Sequence, residues 1–227
     1  MNKVLAFAEK HYSLIKALTK VFNHLNPRNR LCSRKVKLET GLTYLNGLKI
    51  KSKGTNNRVI IDDYTRILDC TVTFHGSNNT VWLKGRSLLH EMHFFMEDDN
   101  NTITVGVHNL IHGPVELATM EGTRIDIGDD GMVSSGVAFR TGDSHSITDL
   151  QGKRINRSLD IKVGNHVWVC QKVSCMKGVT VPDHCIVAAT STLSKTYDEP
   201  HCILAGVPAR IVKRDIDWVT PRLKIED

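Results

Sequence analysis

The chain has 227 residues, of which 41% are hydrophobic, 24% charged and 6% aromatic. That is globular composition: it excludes a disordered chain and asks for a core of aliphatic side chains. No run approaches the roughly 18 apolar residues of a membrane helix. Glu9, Lys10 and His11 interrupt what would be the apolar core of a signal peptide, so the reading is a soluble, cytoplasmic protein.

The net charge of +6 is unevenly spread. Residues 1–53 hold 12 Lys/Arg against Glu9 and Glu39, whereas the remaining 174 residues hold 18 Lys/Arg against 22 Asp/Glu. Such asymmetry is either a solvated basic face or the footprint of an anionic partner. The six cysteines (32, 70, 170, 175, 185 and 202) contain no CxxC pair. A zinc ribbon is therefore not expected, and buried free thiols are.

In chain order, residues 3–25 read as one helix. Val4, Phe7, Ala8, Leu14, Ile15, Leu18, Val21, Phe22 and Leu25 recur at three- and four-residue steps, flanked by Lys3, Lys10, Lys16 and Lys20. Asn26-Pro27 should end it, because the residue before proline is pushed out of helical geometry. The stripe suits packing on the body or on another subunit, or a contact with a membrane surface. Residues 28–53 read as a basic, irregular connection.

From residue 54 the chain repeats itself. GTNNRVII, GSNNTVWL, DNNTITV and EGTRIDI place Asn57, Asn79, Asn101 and Thr123 at a constant spacing of 22. Aliphatic residues follow each at two and four positions. Downstream the period becomes six: Val163, Val169, Cys175, Val181 and Val187 are all apolar, and Val167, Val173, Val179, Cys185 and Ser191 are all small or branched. Ile127, Val133 and Phe139 hold the same phase across an irregular stretch. A period of six fits a short strand plus a tight bend, with three such faces closing one triangular coil. Small residues such as Gly164 and Ala188 should relieve crowding at the corners. The fold expected is a mainly β parallel β-helix, capped by the amino-terminal helix and a carboxy-terminal tail. Its divisions are residues 1–53, a β-helix over 54–203 interrupted by an excursion at 141–160, and an extension over 204–227.

The segments VGNHVWVCQKVSCMKGVTVPDHCIVAATSTLSK (163–195), ILAGVPARIVKRDIDW (203–218) and RTGDSHSITDLQGKRIN (140–156) resemble the hexapeptide-repeat acyltransferases, whose fold is a left-handed parallel β-helix. The last segment is similar to a histidine-bearing loop of the bacterial capsule O-acetyltransferases, including those acting on sialic acid capsules. The resemblance implies acetyl-coenzyme A as donor, no metal, a sugar or polysaccharide hydroxyl as acceptor rather than nucleic acid, and a homotrimer.

It also implies His145 and Trp168 as the catalytic pair. His145 is suited to accept a proton near neutral pH. Trp168 would line the acyl pocket or donate its indole N–H. Asp143 is placed either to orient the imidazole or to cap its own turn. Cys170 and Ala188, 18 residues and one coil apart, would flank the coenzyme groove, and Lys177, Lys195, Arg210 and Lys213 would meet its phosphates. Cys170, Pro182 and Val207 depart from the family's usual residues at those points, glycine at the first two and asparagine at the third. Other readings of the same sequence are N-acetyl transfer to an amino sugar or nucleotide-sugar, and a catalytically inactive scaffold. A metal hydratase is a third, although the spacing of His166, His184 and His201 does not resemble that family's ligands.

Overall fold

The computed structural model describes residues 11–31 and 34–225. Its body is a left-handed parallel β-helix. Seven parallel strands, from Val36–Thr40 through Asn57–Ile61 to Thr180–Val181, stack as the first face. The second face runs from Tyr44–Asn46 through Trp168–Val169 and Ile186–Val187 to Ile203–Gly206. The third runs from Lys49–Ser52 through Val137–Arg140 and Ser174–Cys175 to Thr192–Leu193. The long strands Leu88–Met96 and Leu110–Thr119 turn the corner between the second and third faces, with a register shift between His112 and Val115.

Every hexad position expected to point inward does so. Ile127, Val133, Phe139, Val163, Val169, Cys175, Val181 and Val187 are at most 4% exposed. Their partners Val167, Val173, Val179, Cys185 and Ser191 are buried as well. The interior is a column of aliphatic side chains, each contributing about 1.5–3 kcal/mol by leaving water. The 22-residue spacing is a polar ladder at the corner where the third face gives way to the first. The side-chain Oδ1 of Asn57 accepts the backbone N–H of Asn79 (2.8 Å), Asn79 does the same for Asn101 (2.7 Å), and Asn101 for Thr123 (3.2 Å). Corner glycines are required where coils press together: a Cβ on Gly164 would lie 2.3 Å from Asp183 Oδ1 and 2.7 Å from its backbone nitrogen.

Two expectations for the amino-terminal quarter are corrected. Residues 28–53 are not irregular, because Val36–Thr40, Tyr44–Asn46 and Lys49–Ser52 form a complete first coil in register with the next. The helix, α1, spans Tyr12–Leu25 and ends at Asn26 as expected, with residues 3–10 of the anticipated helix outside the described residues. Its apolar stripe is left largely open: Leu14, Leu18, Val21, Phe22 and Leu25 are all more than half exposed, and Phe22 meets the body by stacking on Tyr44.

The helix docks through polar groups instead. Asn23 is buried, donates to the Thr43 carbonyl (2.8 Å) and accepts the Leu45 N–H (3.1 Å). Asn29 donates to the Leu45 carbonyl and accepts the N–H groups of Gly47 and Leu48. At the other end the Tyr12 hydroxyl donates to Asp63 at 2.7 Å. These contacts occupy main-chain groups at the open end of the solenoid, which would otherwise template pairing with another chain. Among the described residues no helix is long and apolar enough to cross a membrane. Cys70, Cys175, Cys185 and Cys202 are buried free thiols and Cys170 is half-buried, while Cys32 lies outside the described residues.

Candidate active site

The chain leaves the third face after Arg140 and rejoins the first at Ile161. The step from Ile125 to its partner Ile161 is 36 residues, twice the 18 that separate Lys162 from Thr180. One full coil's worth of chain is thus spent on an excursion at the third corner. Its base is tight. Gly142 is buried, and a Cβ there would come within 2.2 Å of Ser158 Oγ and 2.6 Å of the Met120 sulfur.

His145 stands exposed on this excursion, and its backbone is fixed from two sides. Its N–H donates to the Asp143 carbonyl at 2.7 Å, and its own carbonyl accepts from Asn156 Nδ2 at 2.7 Å. Asn156 is 6% exposed. The same amide donates to Asp143 Oδ2 (2.8 Å), and its oxygen accepts the Ile147 N–H (2.8 Å). Asp143 also forms a close ion pair with Lys177. The Lys177 ammonium and then the Asn156 amide hold the Asp143 carboxyl below the usual carboxylate range. The Asp143 carboxylate therefore acts on the loop and not on the imidazole directly. Lys177, expected at a phosphate, is held at the base of the histidine loop.

Around His145 lies a recess of about 90 Å³ lined in part by Asp98, Glu121, Ser144 and Arg154. Glu121 pairs closely with Arg154 and accepts the Ser158 N–H at 3.0 Å. The Arg154 guanidinium, then Ser158, bring its carboxyl down to about 2. Ser144 donates to Glu97 at 2.7 Å. None of Asn156, Glu121, Arg154 or Glu97 was singled out from the sequence. Glu97 and Glu121 reach the loop from distant parts of the chain, which no motif carries, whereas Arg154 and Asn156 lie within the loop segment and show their partners only once it is folded.

Trp168 is elsewhere. It lies on the second face, paired in register with Met132 and Ile186, and does not line the His145 recess. In a triangular coil the third corner is opposite the second face, so one chain holds the two residues on opposite sides. The indole Nε1 of Trp168 is buried without a hydrogen-bond partner among the described residues, and its ring is 6.1 Å from that of Trp218.

The candidate coenzyme residues fall into three groups. Cys170 and Ala188 stack one above the other at the corner after the second face, where the Cys170 N–H donates to the Val187 carbonyl and the Ala188 N–H to that of Leu204. Burial pushes the Cys170 thiol pKa up, and that of Cys175 further, so neither is a ready thiolate. Lys177 and Lys195 stand one coil apart at the corner after the third face, and Lys195 lies over the Tyr197 ring at 5.5 Å. Arg210 and Lys213 are exposed on the antiparallel strand Ala209–Lys213 that closes the solenoid.

A left-handed β-helix of short parallel strands, broken once by a histidine-bearing loop, is the architecture of hexapeptide-repeat acetyltransferases. The chain is 32% identical over 184 residues, 79% of its length and 82% of the relative's, to a polysialic acid O-acetyltransferase of Neisseria meningitidis. It superposes on the crystal structure of the polySia-specific acetyltransferase NeuO with a TM-score of 0.71 at 29% identity, covering 86% of this chain and 79% of that one. For the polysialic acid O-acetyltransferase OatWY the TM-score is 0.54 at 29% identity, covering 77% and 92%. No protein-family model matches. The chain belongs to the family of these O-acetyltransferases, within the hexapeptide-repeat, left-handed β-helix class.

Proposed function

We propose that the chain transfers the acetyl group of acetyl-coenzyme A to a hydroxyl of a sialic-acid-type polysaccharide, with His145 as general base. The observation that carries the reading is the likeness to polysialic acid O-acetyltransferases over most of the chain, joined to a histidine mounted on a long excursion from the coils. The imidazole takes the proton of the sugar hydroxyl, and the oxygen attacks the thioester carbonyl. The tetrahedral intermediate expels the thiolate, and the imidazolium returns the proton to sulfur. The transfer is direct and needs no acyl-enzyme.

The coenzyme would lie along the coils, near Cys170 and Ala188, with its phosphates toward basic residues among Lys195, Arg210 and Lys213. A recess of about 90 Å³ at His145 is far below the roughly 300–1,000 Å³ of an ordinary ligand pocket. That favours a site completed by a neighbouring copy. In a closed trimer the His145 corner of one chain faces the Trp168 face of the next, so Trp168 lines the acyl pocket opposite the base. The basic amino-terminal quarter matches an anionic acceptor in charge. The exposed face of α1, with Lys16 and Lys20 beside its apolar stripe, fits peripheral contact with an anionic membrane surface in the cytoplasm.

The test is thiol release from acetyl-coenzyme A, wild type against His145→Ala, with sialylated and neutral polysaccharides and nucleotide amino sugars as acceptors. Release with the sialylated polymer, lowered about 10²–10⁴-fold in the variant, is the result expected. Release only with amino sugars would move the reading to N-acetyl transfer. No release with any acceptor, together with no coenzyme A binding by calorimetry, would leave a scaffold.

A further inference from the structure

A second cluster of functional groups lies at the corner between the first and second faces, away from the His145 loop. Successive coils place His166, His184 and His201 there, each in the left-handed backbone region (φ 52°, 59° and 55°). Their rings follow one another down the corner, His166 and His184 tilted at 49° with centroids 5.1 Å apart, and His184 and His201 stacked at 4.5 Å. The carboxy-terminal tail folds back over them. Trp218 stacks on His166 at 4.3 Å and 11°, and its indole N–H donates to the His166 carbonyl at 2.8 Å.

That docking brings Asp217 between two of the histidines. Asp217 Oδ1 is 3.4 Å from His166 Nε2 and 3.5 Å from His184 Nδ1, and it also accepts the Trp218 N–H at 2.9 Å. The three side-chain ligand atoms all lie within 4.8 Å of one another. The Trp218 carbonyl oxygen adds a fourth group, 2.9 Å from His166 Nε2. Ligands about 2.0–2.1 Å from a tetrahedral zinc ion stand about 3.4 Å from each other, so the two carboxylate–imidazole separations already have the dimensions of a filled site.

We propose that His166, His184 and Asp217 bind a divalent transition-metal ion of the zinc class, with the Trp218 carbonyl as a further oxygen ligand. Two imidazoles with a carboxylate suit zinc, whereas magnesium and calcium take all-oxygen sets. On binding, His166 Nε2 gives up its proton to become a ligand, and the ring carries its remaining proton on Nδ1. The ion is structural: it fastens the tail, and with it Trp218, to the last coils. His201 is not a ligand. Its Nδ1 lies 3.2 Å from the Ile216 carbonyl, and its ring backs that of His184.

The experiment uses the untagged, full-length chain stripped with EDTA and titrated with zinc chloride by calorimetry. Metal content after gel filtration and thermal melting are read in parallel. The wild type should retain one zinc per chain and melt higher with zinc than without. His184→Ala and Asp217→Asn, both at partly exposed positions, should fold but lose more than about 100-fold in affinity, beyond what loss of an outer-shell partner causes. The rise in melting temperature should go with it. His75→Ala, an exposed histidine at a different corner of the coils, should bind like the wild type. Absence of retained zinc in the wild type, or equal retention in His184→Ala, overturns the proposal. Acetyl transfer enters none of these readouts.

Discussion

Asn156 ties the backbone of the His145 loop to itself from a buried position. One buried amide joins the His145 carbonyl, the Asp143 carboxylate and the Ile147 N–H. Asn156→Ala should leave these groups without partners at about 1–3 kcal/mol each. Its effect should be local: faster proteolysis within 141–160 and a lower kcat, with the melting of the coils little changed. An unchanged proteolysis pattern would show that the loop is held by something else. The sequence could not point to Asn156, because its partners lie 9, 11 and 13 residues away within an irregular segment. The excursion that carries His145 was legible in the sequence, because it interrupts the run of hexads between Phe139 and Val163. The sequence left the partners of Asp143 open, and the structure gives its carboxylate the Lys177 ammonium and the Asn156 amide.

At the scale of elements, ladders hold the coils. Asn57→Ala would strip the Asn79 N–H of its acceptor and the Gly76 carbonyl of a donor. Both sit at a buried corner, so a loss of about 1–3 kcal/mol for each group is expected, read as a lower midpoint in urea. The excursion is held differently, by carboxylates. Glu121 falls from an ordinary 4.5 to about 2, and Asp143 is lowered too. A carboxyl depressed in the folded state contributes its stability above its unfolded value and loses it as pH falls through the folded one. The loop should therefore loosen as pH drops from about 4.5 toward 2. Hydrogen exchange in 141–160, corrected for intrinsic rates, should rise over that window while the far-ultraviolet spectrum of the coils stays constant. Arg154→Ala should move the onset to higher pH.

The coils were legible because spacing alone carried them: a 22-residue ladder of Asn and a six-residue march of aliphatics leave no other regular fold. The first coil was hidden because it breaks the 22-residue spacing: Asn57 pairs with Val36, 21 residues before it, so the ladder position holds no asparagine and falls out of phase. Its outer edge also pairs with Asn23 and Asn29 of the helix and its exit, not with another coil. The face that α1 turns to the body was hidden for a related reason. Periodicity finds an amphipathic helix but assumes that the apolar side docks, and here unpaired main-chain groups at the end of a solenoid make the polar side dock.

The whole molecule adds one fact that neither a residue nor an element holds. His145 and Trp168 are 23 positions apart in sequence, yet one belongs to the third corner and the other to the second face. Counting hexads through the excursion would have placed them on opposite sides, since the phase survives it. A catalytic site that uses both must join two chains. The direct measurement mixes His145→Ala and Trp168→Ala chains, co-expressed so that they assemble at random, and compares thiol release with each variant alone. In a ring of shared sites, a site is intact when one neighbour supplies the histidine and the other the tryptophan, so about one quarter of wild-type activity should return. A mixture no more active than the two variants apart would contradict the shared site and return both residues to one chain.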